Sequence, residues 1–277
     1  MTDSFEHDLR QEPERLELEV FDIGGARLWP CLVFSAPEGF RPLSMDLAVP
    51  EGPGPHPLVV YIHGGGFLIG TPKYDNPTLR AVRMRPRLLE AGYAVARISY
   101  RLAGEAHWPA QLHDCQAAVR YLRAKAGVFG LDAGRFAVLG ESAGGHLACM
   151  TALSGEGEAA VQAAINWYGV TDFTALEEDA ESPIPRLMGM DRSEAPEAWR
   201  DASPVHKVHP GAPPFLHQHG DRDRVVALSQ AEALHDALTG AGVSSTLEVI
   251  NGADHCFWGA ATPKVMDGVI AFLKDWL

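Results

Sequence analysis

Arg135-Phe136-Ala137-Val138-Leu139-Gly140-Glu141-Ser142-Ala143-Gly144-Gly145-His146-Leu147-Ala148-Cys149-Met150 is the stretch that decides how this chain reads. Residues 135–139 suit a strand, residues 143–150 suit the start of a helix, and G-x-S-x-G stands between them. A nucleophile elbow needs that strand–turn–helix setting, because it presents the serine hydroxyl on a strained turn. Gly140 and Gly144 fit it, since side chains at the flanking positions would collide with the tight backbone. The helix N-terminus beneath Ser142 directs positive partial charge to where negative charge grows as a carbonyl is attacked.

A second stretch complements the first. His63-Gly64-Gly65-Gly66-Phe67 follows the apolar run Leu58-Val59-Val60-Tyr61-Ile62. A phosphate cradle is excluded, because the lysine of a P-loop and its spacing are missing. A glycine loop after a buried strand, paired with an elbow, suits an oxyanion hole built from the backbone N–H groups of Gly65, Gly66 and Ala143. His63 is expected to anchor that loop.

A serine hydroxyl needs a general base, and the base needs a carboxylate to orient it. His255 lies in the turn-rich loop Asn251-Gly252-Ala253-Asp254-His255-Cys256-Phe257, after the last expected strand and before the last expected helix. The acid is expected between serine and histidine along the chain. The loop Gly220-Asp221-Arg222-Asp223-Arg224-Val225-Val226 offers Asp221 and Asp223, and both remain open on the residues alone. Asp254 is disfavoured, because adjacent side chains rarely face each other.

The rest of the chain supplies the scaffold. Leu16–Phe21 and Leu43–Val49 alternate apolar and polar residues, as half-buried antiparallel strands do. Later apolar runs at 58–62, 93–98, 135–139, 163–168, 214–218 and 245–250 are nearly continuous, as strands buried on both faces are. Helix-like stretches lie between them: 79–91, where Pro86 should kink or divide the element, Ala110–Ala126, bounded by Pro109 and Gly127, 228–240 and 264–277. Strands alternating with helices imply an α/β domain with a mostly parallel, eight-stranded sheet covered on both faces.

The 277 residues carry 23 basic and 36 acidic side chains, a net charge of −13, which disfavours nucleic acids and anionic membranes. Cys31, Cys115, Cys149 and Cys256 form no framework, the start Met1–Asp8 has no apolar core, and no apolar run reaches membrane-spanning length. These features suit a cytoplasmic protein. His206, His209, His217 and His219 are clustered, but prolines interrupt them and no third ligand has suitable spacing, so no metal is expected. Cys256 reads as a packing residue. Residues 172–209, rich in proline and acid, are too long for a plain connection and read either as a surface insertion without a role or as a lid over the active site. Phe67, Tyr74, Trp108, Trp167, Tyr168, Phe257 and Trp258 are candidates to line an acyl or aryl pocket, with Phe67, Trp108, Tyr168, Phe257 and Trp258 taken as substrate-binding.

These motifs resemble those of the α/β-hydrolases, and among them the carboxylesterases of the hormone-sensitive-lipase and acetyl/feruloyl-esterase-like group. The resemblance rests on His63–Phe67, Ser99-Tyr100-Arg101-Leu102, the helix from Pro109 to Arg123, Gly140–Gly145, Tyr168-Gly169-Val170-Thr171-Asp172-Phe173, His219–Val226 and Ala253-Asp254-His255. In that group the acid sits in H-G-x-x-D-x-x-V, which maps onto His219, Gly220, Asp223 and Val226 and implies Asp223. Ala227 stands where the group often has proline. The resemblance implies one domain over 1–277, capped by 172–209, that hydrolyses a small short-acyl or aryl ester through an acyl-enzyme. Ser142, Asp223 and His255 would be the triad, without a cofactor. The short stretch before the first strand leaves no room for the longer N-terminal cap of lipase-like members. The implied partner is a small-molecule ester, and a homodimer is compatible with the sequence. Two alternatives share these residues: an amide or formamide hydrolase or natural-product tailoring enzyme, and a ligand-binding relative without catalysis. A missing triad member would mark the latter, and none is missing.

Overall fold

Alternate residues of the central apolar runs face opposite cores. Leu58, Val60 and Ile62 pack with Ala94, Ala96 and Ile98 on one face, whereas Val59 and Tyr61 pack with Val95, Ala137 and Leu139 on the other. Both faces are dry because helices cover them, which is why these strands carry no polar alternation.

The computed structural model describes residues 19–176 and 182–277. The polar start up to Arg15, the first three residues of the expected 16–21 strand, and Glu177, Glu178, Asp179 and Glu181 lie outside the described residues. The strands are β1 (Phe21–Asp22), β2 (Ala26–Ser35), β3 (Leu43–Pro50), β4 (His56–Ile62), β5 (Ala94–Ile98), β6 (Leu131–Glu141), β7 (Ala163–Trp167), β8 (Phe215–Gly220) and β9 (Ser245–Ile250). They form one sheet in the order β1-β2-β3-β5-β4-β6-β7-β8-β9. The pairings from β5 through β4, β6, β7 and β8 to β9 are parallel, and those among β1, β2, β3 and β5 are antiparallel.

The sheet thus has nine described strands where eight were expected. The addition is β2, whose buried residues Ala26, Trp29 and Leu32 fall three apart instead of alternating. A register shift between Trp29 and Leu32, with Cys31 at φ 56°, breaks the period-two signal, and Pro30 sits at that irregularity.

The helices are α1 (Pro77–Val82), α2 (Met84–Glu90), α3 (Ala110–Ala124), α4 (Ala126–Phe129), α5 (Ala143–Ser154), α6 (Ile184–Met188), α7 (Pro196–Asp201), α8 (Leu228–Gly240) and α9 (Val265–Trp276). The expected 79–91 helix is divided at Arg83 (φ 54°), not at Pro86. Pro86 falls in the first turn of α2, where a backbone N–H has no intrahelical partner to lose. Likewise Gly127 does not stop the helix that begins at Ala110. It lies inside α4, and Gly130 at φ 71° ends the run.

α3 and α5 cover one face, contributing Cys115, Ala118, Val119, Leu122, Leu147 and Ala148 to its core. α1, α2 and α9 cover the other, with Leu79, Leu88, Val269 and Leu273. The described part of 172–209 folds into α6, α7 and a 3-10 turn at Pro204–Lys207. Ile184, Leu187, Trp199 and Ala202 bury against the first core, and His146 Nε2 donates to Ala202 O at 2.7 Å, which joins this segment to α5.

Candidate active site

β6 runs into α5 through one residue. Ser142 adopts φ 51° and ψ −121°, a backbone region that costs a non-glycine residue about 1–3 kcal/mol. Its N–H donates to Trp167 O at 2.8 Å, and its carbonyl accepts from His146 N at 3.1 Å. Glycine is required around it for space. A Cβ on Gly140 would lie 1.9 Å from Gly144 O, one on Gly144 2.1 Å from Ile62 O, and one on Gly145 2.6 Å from Asn166 Oδ1.

The loops after β6, β8 and β9 meet at one end of the sheet. His255 Nε2 lies 3.0 Å from Ser142 Oγ, and His255 Nδ1 lies 2.8 Å from Asp223 Oδ2. Since an ionised carboxylate only accepts, Nδ1 carries the proton and Nε2 is left as the acceptor for the serine O–H. Asp223 is the carboxylate bonded to His255. Asp221 instead accepts from Gly252 N at 2.6 Å, and Asp254 caps the turn that starts at His255 by accepting from His255 N at 2.8 Å. Asp254 also accepts from Arg224 N at 3.0 Å and Nε at 2.6 Å, so it ties the acid loop to the base loop.

The Asp223 carboxylate is shut away from solvent. Burial works to raise its pKa, but hydrogen bonds from His219, His255 and Val226 N–H outweigh it and hold the group well below the usual carboxylate range. Its Oδ1 accepts from Val225 N and Val226 N at 2.9 and 2.8 Å, and His219 Nε2, which bonds Val226 O at 2.8 Å, stands 3.3 Å from Oδ2.

The glycine loop after β4 runs beside the serine. A Cβ on Gly64 would lie 3.3 Å from Ser142 Cβ. Gly65 (φ 114°), Gly66 (φ 60°) and Phe67 (φ 60°) turn the chain, and Gly65 O accepts from Leu68 N and Ile69 N. Among the described residues the N–H groups of Gly65 and Gly66 have no acceptor, and that of Ala143, first in α5, has none within its helix. His63 anchors this loop through Nδ1 to Gly64 O at 2.8 Å and by stacking on Tyr100 at 4.4 Å. Burial lowers its pKa to about 4, so it is neutral.

A cavity of about 1140 Å³ opens over these groups. Phe67, Val170, Leu176, Ile184 and Val226 form an apolar wall, and Tyr61, Asn76 and Glu141 a polar one. Of the aromatic residues expected near the motif loops, Phe67 and Tyr74 border it, whereas Trp108, Trp167, Tyr168, Phe257 and Trp258 do not. Trp108 packs 5.3 Å from the His146 ring, and Phe257 is buried 5.6 Å from Trp167 and 4.6 Å from Tyr168. Trp258 is exposed and edges a separate depression of about 240 Å³ with Pro77 and Thr262. Tyr168 is fully buried behind His255, ring to ring at 5.0 Å. The lining residue Asn76 carried no sequence signal, because no motif contains its loop, whereas Leu176 and Ile184 lie in the candidate lid and Val225 in the Asp223 loop. Glu141 stood in plain view as the second residue of the elbow.

Among the described residues no group of three or more His, Cys, Asp and Glu side chains could hold a metal ion. His217 stacks on Phe215, 3.2 Å from Asn166 Nδ2, and His219 is committed to Val226 and Asp223. No described helix is long and apolar enough to cross a membrane.

The BD-FAE family model matches residues 45–238, which span the glycine loop, the elbow and the Asp223 loop. The chain belongs to the BD-FAE family. This BD-FAE chain is 32% identical to the esterase LipQ of Mycobacterium tuberculosis over 78% of its own length and 55% of that protein's. With the esterase LipC of the same organism it shares 31% identity over 80% of this chain and 59% of that one. The BD-FAE chain therefore spans a little over half the length of these relatives. A solved structure described as a truncated form of carbohydrate esterase from gut microbiota superposes with TM-score 0.78 at 25% identity, over 90% of this chain and 95% of that one. Thermogutta terrifontis esterase 2 superposes with TM-score 0.72 at 21% identity, over 92% and 94%, and shares the fold. The BD-FAE chain has the α/β-hydrolase fold.

Proposed function

We propose that the chain is a serine carboxylic-ester hydrolase for small esters with a short acyl or an aryl group. Ser142 Oγ attacks the ester carbonyl while His255 Nε2 takes its proton and then delivers it to the leaving alcohol. Asp223 holds the imidazole and balances its positive charge. The N–H groups of Gly65, Gly66 and Ala143 receive the oxyanion. Water, activated by the same histidine, then releases the acid from the acyl-enzyme.

One observation carries this reading: a buried carboxylate and a serine hydroxyl are bonded to the two nitrogens of one imidazole, at 2.8 and 3.0 Å. The names of the esterase relatives support it. We read 172–209 as the lid, because Leu176, Pro183 and Ile184 supply part of the cavity wall and Pro183 comes within 3.4 Å of a Cβ placed on Gly66. The apolar wall suits an acyl or aryl group of a few carbons. The four unpaired cysteines suit a reducing compartment such as the cytoplasm.

The test is turnover of p-nitrophenyl acetate beside the matching anilide, with fluorophosphonate labelling, for the wild type and Ser142→Ala. The ester is expected to be cleaved, and label and turnover are expected to vanish together in the variant. Wild-type turnover by Ser142→Ala overturns the reading, and preference for the anilide moves the chain to amide hydrolysis.

A further inference from the structure

Glu141 is buried directly before the nucleophile, and its environment exceeds what an elbow needs. Its Oε1 accepts from Tyr61 Oη and Asn76 Nδ2, both at 2.6 Å, and its Oε2 accepts from Tyr168 Oη at 2.8 Å. Among the described residues no cation pairs with it. The nearby Arg97 is engaged by Asp75 at 2.8 Å and Tyr74 O at 2.7 Å and stands 5.8 Å from the Tyr61 ring. Neutral His63, the buried Tyr100 phenol and the Cys256 thiol are its other titratable neighbours. A buried carboxylate held by neutral donors and no counter-ion keeps a field that reaches its neighbours.

Tyr168 connects that charge to the base. Its hydroxyl donates to Glu141, and its ring centroid lies 5.0 Å from that of His255, with the planes at 67°. That edge-to-face contact brings the imidazole close enough to feel the phenol dipole and the carboxylate charge behind it, which attracts a cation. Donating to a carboxylate pushes electron density into the phenol ring and strengthens the attraction. Burial first, and then the Glu141 charge, push the phenol pKa well above 10, so the hydroxyl keeps its proton and remains a donor. The other groups facing His255 are Asp223 on Nδ1, Ser142 on Nε2, and the neighbouring Cys256 thiol, pushed up to about 12 mainly by burial and therefore neutral. Asp254 is held by Arg224 and reaches only the backbone N–H of His255.

We propose that Glu141 and Tyr168 are positioning residues that favour the imidazolium form of His255, the form present while Ser142 is acylated and deacylated. Because that cation is absent from the resting enzyme, the support acts on kcat and leaves KM alone. The inference rests on the esterase reading above.

The experiment is the pH profile of kcat/KM for p-nitrophenyl acetate in the wild type, Glu141→Gln, Glu141→Asp and Tyr168→Phe, with Ser142→Ala alongside. Removing the Glu141 charge should lower kcat roughly tenfold at unchanged KM and move the acid limb down by about one pH unit. Tyr168→Phe, which keeps the ring but loses its donor, should move the limb part of the way, and Glu141→Asp should restore its position. Should Glu141→Gln fail to fold, Tyr168→Phe carries the test. An acid limb that stays in place in every folded variant overturns the proposal, even if stability drops. Activity surviving in Ser142→Ala would instead remove the esterase reading itself.

Discussion

Gly144→Ala is the most demanding test of how the elbow is built. The added Cβ would stand 2.1 Å from Ile62 O and 2.6 Å from His63 O, both backbone atoms at the end of β4. Carbon and carbonyl oxygen tolerate about 3.3 Å, so the first turn of α5 must retreat from β4 by roughly 1 Å. Ser142 lies two residues upstream and moves with it, stretching the 3.0 Å contact with His255 toward about 4 Å, beyond hydrogen-bond range. Ala143 N–H is carried away from Gly65 and Gly66 at the same time. A misplacement of that size typically costs about a hundredfold in rate, and overpacking costs about 1–3 kcal/mol of stability. The measurements are kcat/KM on p-nitrophenyl acetate and the thermal midpoint, which should fall by several degrees. Gly127→Ala is the matched control. It lies in α4 with nothing within 4 Å of its Cβ position, so activity should hold and the midpoint should rise slightly. Wild-type kinetics together with an unchanged midpoint in Gly144→Ala would refute the close seating of α5 against β4.

Stability should fall in acid through three buried histidines. His63, His146 and His217 are buried with pKa values of about 4, about 4 and about 3, each lowered mainly by desolvation, against about 6.5 in an unfolded chain. The unfolded chain therefore binds protons that the native one refuses. The loss begins below about pH 6.5, reaches about 2 kcal/mol for each histidine near pH 5, and levels off once the folded imidazoles protonate near pH 4 and below. Urea midpoints at pH 7.5 and pH 5 check this, and equal midpoints would contradict it. Asp254→Asn should lower kcat more than it changes KM, because it loosens the tie between the Asp223 and His255 loops. Arg224 is 85% exposed, so high salt should bring the wild type toward the variant, and a salt-insensitive wild type would argue against the tie.

Residues whose chemistry is written into a local pattern could be read before the structure. The proposed roles of Ser142 and His255 rest on such patterns, and helix 228–240 was read from one, because a strained turn, a loop after a strand and a 3.6-residue period each leave a local trace. Asp221 and Asp223 could not be separated on residues alone. They differ in which backbone faces them: Gly252 N–H for the first, Val225 and Val226 N–H for the second. β2 escaped because its bulge replaces alternation with a spacing of three. The division at Arg83 escaped because a left-handed arginine has no sequence marker, whereas Pro86 falsely suggested one. Tyr168 was legible as an aromatic near the motifs, but its place behind the imidazole depends on the loop after β9 folding over the end of β7.

Ser142, Asp223 and His255 hang from the ends of β6, β8 and β9, whereas the segment against Gly66 and Phe67 is borrowed from the connection between β7 and β8. On the proposed reading, bond cleavage and molecular selection are therefore written in different parts of the chain. If that reading holds, lengthening, trimming or replacing that one connection would give daughter enzymes with new appetites while the inherited cutting tool stays sharp.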